Sequence, residues 1–205
     1  MNELVVLNEL TSISNNGFRF PVNIILNIDV DMFTTEEELL TNYYGFYYAI
    51  VKYLNIQSVL EIGVRAGYSM VAMLLANKNL KYVGIDNDCN LSGGLSGSYK
   101  HAEGLLKEYG TNQESSITIK DSHTIEQLVE TFDLIHVDGD HTTGGCRQDL
   151  ELVRNNARYL LVDDIDFCSE GEYNVRQAVD EFLSIYKYRS VYIPSHRGHR
   201  LIFLN

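Results

Sequence analysis

Cysteine, proline and basic side chains are all scarce in this chain of 205 residues. Three cysteines, Cys89, Cys146 and Cys168, are too few and too irregularly spaced for a disulfide framework or a zinc site, so the reducing cytoplasm is the expected location. Sixteen Lys and Arg stand against 28 Asp and Glu, a net charge of −12. That balance repels phosphate backbones and argues against nucleic acid as a partner. The densest basic cluster, His196-Arg197-Gly198-His199-Arg200, is too short to reverse it. No apolar run approaches the ~20 residues of a membrane span, and Met1-Asn2-Glu3-Leu4 lacks a signal peptide's positive region, so no membrane association is expected. The only prolines are Pro21 and Pro194, and no internal repeat is present. What remains is 45% hydrophobic and 21% charged, an ordinary soluble composition long enough for one domain with a sizeable core.

From residue 58 onward, short β-branched or aromatic runs alternate with helical patterns. The runs 58–62, 81–85, 116–120, 134–137, 159–162, 190–193 and 200–204 read as strands. Between the first five, residues 69–76, 99–109, 124–131 and 145–156 read as helices, and 174–186 leads into the sixth strand. Strands joined by helices predict a parallel sheet, because each crossover returns the chain in the same direction. Only Ser195–His199 separates the last two strands, room for a hairpin and no helix, so the seventh should run antiparallel. The expected fold is a single doubly wound, mostly parallel seven-stranded α/β sheet. Ahead of it, residues 1–55 should form a cap segment and an amphipathic helix with Leu40, Tyr43, Tyr47, Ile50 and Leu54 on one stripe. Thr34 or Thr35 would cap that helix. Residues 1–30 read equally as a lid over the site or as an edge element that only packs. The glycine-rich loop 87–98 should be mobile.

The first expected strand ends in Glu61-Ile62-Gly63-Val64-Arg65-Ala66-Gly67-Tyr68-Ser69, and the second in Asp86. Strand, glycine turn, helix and strand ending in an acid make the mononucleotide half of a doubly wound sheet. The glycines let backbone approach a ligand, and the terminal acid can accept from two ribose hydroxyls. The spacing E-x-G-x-x-x-G is not that of a dinucleotide site, which disfavours a dehydrogenase. It resembles motif I of class I S-adenosylmethionine-dependent methyltransferases, whose seven-stranded topology is also the one expected here. The resemblance covers about residues 56–205. It implies that Glu61, Gly63, Gly67, Ser69 and Asp86 hold S-adenosylmethionine. Asp121 and Ser122, in the turn after the third strand, would meet the adenine. Arg65 would either meet the methionine carboxylate or stay on the surface.

Glu61, Asp86, Asp138 and Asp163 all close or follow parallel strands, at the carboxyl edge where open α/β sheets bind ligands. Neighbouring strands would bring Asp138 of Val137-Asp138-Gly139-Asp140-His141 beside Asp163 and Asp164. Three carboxylates together repel one another unless a cation intervenes, and oxygen ligation suits Mg²⁺. Here the chain resembles metal-dependent small-molecule O-methyltransferases, of the sugar, macrolide and, more distantly, catechol types. The resemblance implies Asp138, Asp163 and Asp164 as metal ligands and His141 as the base that takes the acceptor's hydroxyl proton. Asp138 could instead hold the methionine part of the cofactor without metal, and Asp164 could be a structural acid of its turn. Asp140 is expected to cap the following helix. His136 reads as a core or interface residue, and Tyr43, Tyr44, Tyr47 and Tyr48 as core that could wall an acceptor pocket. Asn155-Asn156-Ala157-Arg158 replaces the family's Pro-Gly-Gly. The expectation is a Mg²⁺-dependent O-methyltransferase acting on a small-molecule acceptor, with homo-oligomerisation left open. A metal-independent N- or O-methyltransferase and a non-catalytic cofactor-binding module are the alternatives.

Overall fold

Seven strands form one sheet in the order β3-β2-β1-β4-β5-β7-β6. They are β1 Ser58–Ile62, β2 Lys81–Asp86, β3 Ser116–Ile119, β4 Phe132–Val137, β5 Ala157–Val162, β6 Arg189–Ile193 and β7 His199–Phe203. The computed structural model describes residues 3–26, 37–90, 94–166 and 173–204. The pairs β1–β2, β1–β4, β2–β3 and β4–β5 are parallel, and β7 runs antiparallel to both β5 and β6. The order reverses direction between β1 and β4, so the chain leaves these two strands on opposite sides and opens a crevice at their carboxyl ends.

Helices α1 Glu3–Gly17, α2 Glu37–Tyr53, α3 Tyr68–Ala76, α4 Tyr99–Tyr109, α5 Thr143–Val153 and α6 Val175–Tyr186 flank the sheet. The central strands β1 and β4 are buried on both faces, which divides the core in two. One cluster gathers α1–α4 with Val59, Leu134 and Leu161, and the other gathers α5 and α6 with Leu60, Ile135 and Val162. Alternate residues of each strand serve opposite clusters, as the pleat requires. Among the described residues no helix is long and apolar enough to cross a membrane.

One expectation needs correction. Residues 124–131 do not form a helix. A 3₁₀ turn, Ser122–Thr124, is followed by an irregular crossover. The side-chain amide of Asn156 donates to the carbonyls of Leu128 and Glu130 at 3.1 and 2.9 Å. Those bonds tie the end of the segment to the entry of β5, where Phe132 N–H in turn donates to the Asn156 carbonyl at 2.8 Å, and Val129 is almost fully exposed. Eight residues with so small an apolar face cannot offset helix nucleation.

The cap segment at the start of the chain begins with a 15-residue helix. Val6, Leu10 and Ser14 are its buried residues, spaced by four. Ser14 faces α2 at Gly45, where an added Cβ would lie 2.0 Å from the serine Oγ, so only glycine lets the helices meet this closely. From α1 the chain runs along α2, anchored where Phe20 N–H donates to Thr41 Oγ1 at 3.0 Å and Leu26 N–H to Tyr68 OH at 2.8 Å. Phe20 and Ile25 thereby reach the crevice. The expected cap at Thr34 or Thr35, part of the glycine-rich loop and Cys168 lie outside the described residues.

Candidate active site

At the crevice, Gly63 and Asp138 leave neighbouring strands and nearly touch. Gly63 sits at φ +88°, and a Cβ there would lie 2.0 Å from the Asp138 carbonyl oxygen. No other residue type fits this left-handed, crowded position. The turn continues through Arg65, also left-handed at φ +48°, to Gly67, which begins α3. Arg65 N–H donates to Asp86 at 2.8 Å, and Asp88 N–H donates to its other oxygen at 2.6 Å. Asp86 is thus aimed by two backbone donors while still lining the cavity.

That cavity, about 870 Å³, is continuous from the Gly63–Gly67 turn and Asp86 to the ends of β4 and β5. Of the residues expected to bind cofactor, Gly63, Arg65, Gly67, Ser69, Asp86, Asp121, Ser122 and Asp138 line it. Glu61 does not. It is fully buried beneath the turn, where Ser69 Oγ and Tyr82 OH donate to it and His136 Nδ1 lies 2.7 Å away. Its structural place is under the motif rather than against a ligand. Asp121 accepts from His123 N–H at 2.9 Å, and Ser122 Oγ donates to buried Asp149 at 2.7 Å.

Asp138, Asp163, Asp164 and His141 all line the cavity as well. His141 Nε2 lies 3.1 Å from Asp138 Oδ1 and 3.5 Å from Asp164 Oδ2. Burial alone would lower the His141 pKa, but the hydrogen bond and charge of Asp138, with Asp164 and Asp163 beyond, hold it at about 9. Burial and the neighbouring Asp163 and Asp138 push Asp164 up to about 7, against the pull of Arg197 and His141. Asp138 is raised by burial and by Asp163. Asp163 differs: burial would raise it, yet His199, His136 and the hydroxyls of Tyr43 and Tyr47 outweigh that and hold it low.

The expected set of three carboxylates is divided. Among the described residues, two groups bring potential ligand atoms within 4.8 Å of one another: Asp138, His141 and Asp164, and His136, Asp138 and Asp163. Asp138 is common to both. Asp164 is turned away from Asp163 by its left-handed backbone, φ +55°, and meets Arg197 Nη1 at 3.1 Å. Asp163 faces α2, where Tyr43 OH and Tyr47 OH donate to it, the latter at 2.6 Å.

Several of these partners escaped the sequence. The tyrosine stretch was visible as a helical stripe, but its hydroxyl acceptor on β5 was not. Tyr43, Tyr44 and Tyr47 do wall the cavity. Arg197 and His199 stood in the short basic cluster, with nothing local to tie them to acids 33 and 36 positions earlier. The helix cap is also different: Thr142 Oγ1 accepts from Gly145 N–H at 3.0 Å and caps α5. Asp140 instead accepts from Thr142 N–H at 2.8 Å, two residues ahead of the cap.

A family profile described as "Methyltransferase domain" matches residues 60–165, from β1 to just past β5. No curated protein matches the chain in sequence. Among solved structures, the SAH-bound methyltransferase PaMTH1 of Podospora anserina superposes with a TM-score of 0.62 at 15% identity, covering 99% of this chain and 96% of that one. An O-methyltransferase of Bacillus cereus in complex with SAH gives 0.59 at 14% identity, over 98% and 91%. A methyltransferase of Geobacter sulfurreducens gives 0.58 at 19%, over 78% and 76%. At these identities the likeness is one of fold.

Proposed function

We propose, for a chain that belongs to the methyltransferase-domain family and is an S-adenosylmethionine-dependent methyltransferase, that the methyl group goes to a hydroxyl oxygen of a small molecule. The observation that carries this reading is the single cavity joining the Gly63–Gly67 turn and Asp86 to the group Asp138, His141 and Asp164. Bound at the turn, S-adenosylmethionine supplies a methyl group on a sulfonium, an electrophile that needs no further activation. Asp86, aimed by two backbone donors, would accept from the ribose hydroxyls, and Ser122 would sit at the adenine end.

The donor set fits a hard divalent cation such as Mg²⁺. Asp138 and Asp164 offer carboxylate oxygens on either side of His141, with Asp163 behind Asp138. When bound, such a cation would lower the pKa of an acceptor hydroxyl and cancel the negative charge that keeps His141 protonated. His141 Nε2 is then the group placed to hold the proton the hydroxyl gives up. Tyr43, Tyr44 and Phe20 exclude water from this end and give the acceptor an apolar wall, which suits a small organic molecule, a sugar among them.

A metal-independent methyltransferase has its own supporting observation. Arg197 and His141 already place cationic groups on Asp164 and Asp138. The deciding experiment measures S-adenosylhomocysteine release over a panel of hydroxylated acceptors, with and without excess chelator. Turnover that chelator abolishes and Mg²⁺ restores supports the metal-dependent reading. Full turnover in chelator supports the other, and methylation of amines alone would end the hydroxyl assignment.

A further inference from the structure

We infer that the site continues inward to a second cation niche formed by His136, Asp138 and Asp163, whose nitrogen-and-oxygen donor set selects a borderline divalent transition ion over Mg²⁺. The inference rests on the reading that the carboxyl edge of β4 and β5 binds a cation.

Strand register builds the niche. Glu61 of β1 pairs with His136 of β4, and His136 with Leu161 of β5. Asp138 and Asp163 each follow by two residues, so the period of the pleat sets all four side chains toward α2. Consistent with this, the Tyr47 ring packs 5.0 Å from the His136 ring while its hydroxyl holds Asp163.

His136 is completely buried, and its two nitrogens differ. Nδ1 is 2.7 Å from Glu61, whereas Nε2 has no hydrogen-bond partner among the described residues. A buried polar atom left unpaired is costly, and native proteins retain few of them. With Nδ1–H donated to Glu61, the neutral ring offers its lone pair on Nε2, and the charged ring gives up its Nε2 proton when an ion binds. That carboxylate–histidine arrangement is the usual outer support of a metal-bound imidazole. Glu61 is itself immobilised by Ser69 and Tyr82, so the ring orientation is set before any ion arrives.

The carboxylates are prepared in the same way. Asp163 is oriented by Tyr43, Tyr47 and the Asp164 N–H, the last at 2.7 Å. Asp138 and Asp163 both line the cavity, which is the route of entry. Two ligands opposite one another on a single ion stand about 4.2 Å apart, given metal–ligand distances near 2.1 Å. The three donors already lie within 4.8 Å of one another, so sub-ångström shifts would close the site. Imidazole suits Fe²⁺, Co²⁺, Ni²⁺ or Zn²⁺, whereas Mg²⁺ and Ca²⁺ favour oxygen alone, and Mn²⁺, the weakest binder of the first-row series, serves here as the spectroscopic probe.

The test uses the whole chain and needs no turnover. Mn²⁺ is titrated into metal-free protein, and electron spin-echo spectra are read for coupling to ¹⁴N. The expected result is one tightly bound Mn²⁺ with nitrogen coupling that persists in His141→Ala and vanishes in His136→Gln. Calorimetry should give Co²⁺ or Zn²⁺ at least about tenfold tighter binding than Mg²⁺. Coupling that vanishes in His141→Ala and persists in His136→Gln overturns the inference and leaves the cation at Asp138 and Asp164. Absence of any divalent binding removes the cation reading as well. If His136→Gln fails to fold, wild-type protein carrying ¹⁵N-histidine decides the matter with Zn²⁺. The Nε2 resonance of His136, told from that of equally buried His199 by the Nδ1–H it shares with Glu61, should shift, and an unshifted resonance overturns the niche.

Discussion

The hydroxyl of Tyr47 donates to Asp163 over 2.6 Å although 116 residues separate them. Tyr47 lies on α2, before the sheet begins, and Asp163 follows the fifth strand. Through this bond the amino-terminal helices belong to the site rather than merely covering it. Removing one donor leaves a buried carboxylate short of a partner, at a cost of about 1–3 kcal/mol. Tyr47→Phe should therefore lower the urea midpoint by that equivalent without changing the slope. An unaltered midpoint would show that Tyr43 and His199 suffice to hold Asp163.

Asp86 should govern cofactor affinity. Its two oxygens are aimed by Arg65 N–H and Asp88 N–H, so Asn in its place keeps one acceptor and loses the charge. Hydrogen bonds to charged groups contribute about 1.5–3 kcal/mol, and Asp86→Asn should weaken S-adenosylhomocysteine by roughly that amount in calorimetry. Binding of NAD in place of the adenosyl ligands would end the cofactor assignment.

His141→Ala should reduce kcat by ~10²–10⁴-fold, the usual contribution of a positioned base. Affinity for S-adenosylhomocysteine should hardly change, because His141 stands among Asp138 and Asp164 and the cofactor turn lies elsewhere. An unchanged kcat would return His141 to a purely structural part in its loop.

Asp149 ties two walls of the cavity together. It is completely buried on α5, accepts from Ser122 Oγ, and is backed by His123 and the Asp140 backbone. Burial raises its pKa from 3.8 to about 6, against those hydrogen bonds. Between these values the folded protein holds more protons than the unfolded chain, so stability falls as pH rises through the window. Asp149→Asn removes the titration. Urea unfolding at pH 4, 5, 6 and 7 should show wild type losing up to about 3 kcal/mol relative to the variant across that range. Parallel curves would mean that the carboxylate ionises normally.

Much of the sheet was legible because a buried strand needs a run of branched or aromatic residues whatever surrounds it. All seven strands fall where such runs stand, with ends displaced by at most two residues. The short 195–199 link made the antiparallel hairpin unavoidable. Helices were less legible. In α1 one of three buried positions is Ser14, matched to a glycine on another helix, so hydrophobic period alone could not reveal it. In 124–131 the helical pattern was present, but its apolar face was too small to hold a helix, and Asn156 ties the end of the segment to β5 instead.

The sequence by itself determined the order of strands and helices, the glycine turn, and the carboxyl edge at which the acids collect. Each follows from local chemistry: side-chain branching, a left-handed backbone, and the period of the chain. Tertiary structure alone decided how those acids are used. It sent Glu61 beneath the turn to His136, turned Asp163 toward the tyrosines of α2, and turned Asp164 toward Arg197. Adjacent aspartates with opposite surroundings cannot be told apart in sequence. Their partners arrive from distant segments: Tyr43 and Tyr47 from α2 for Asp163, and Arg197 from the link between β6 and β7 for Asp164.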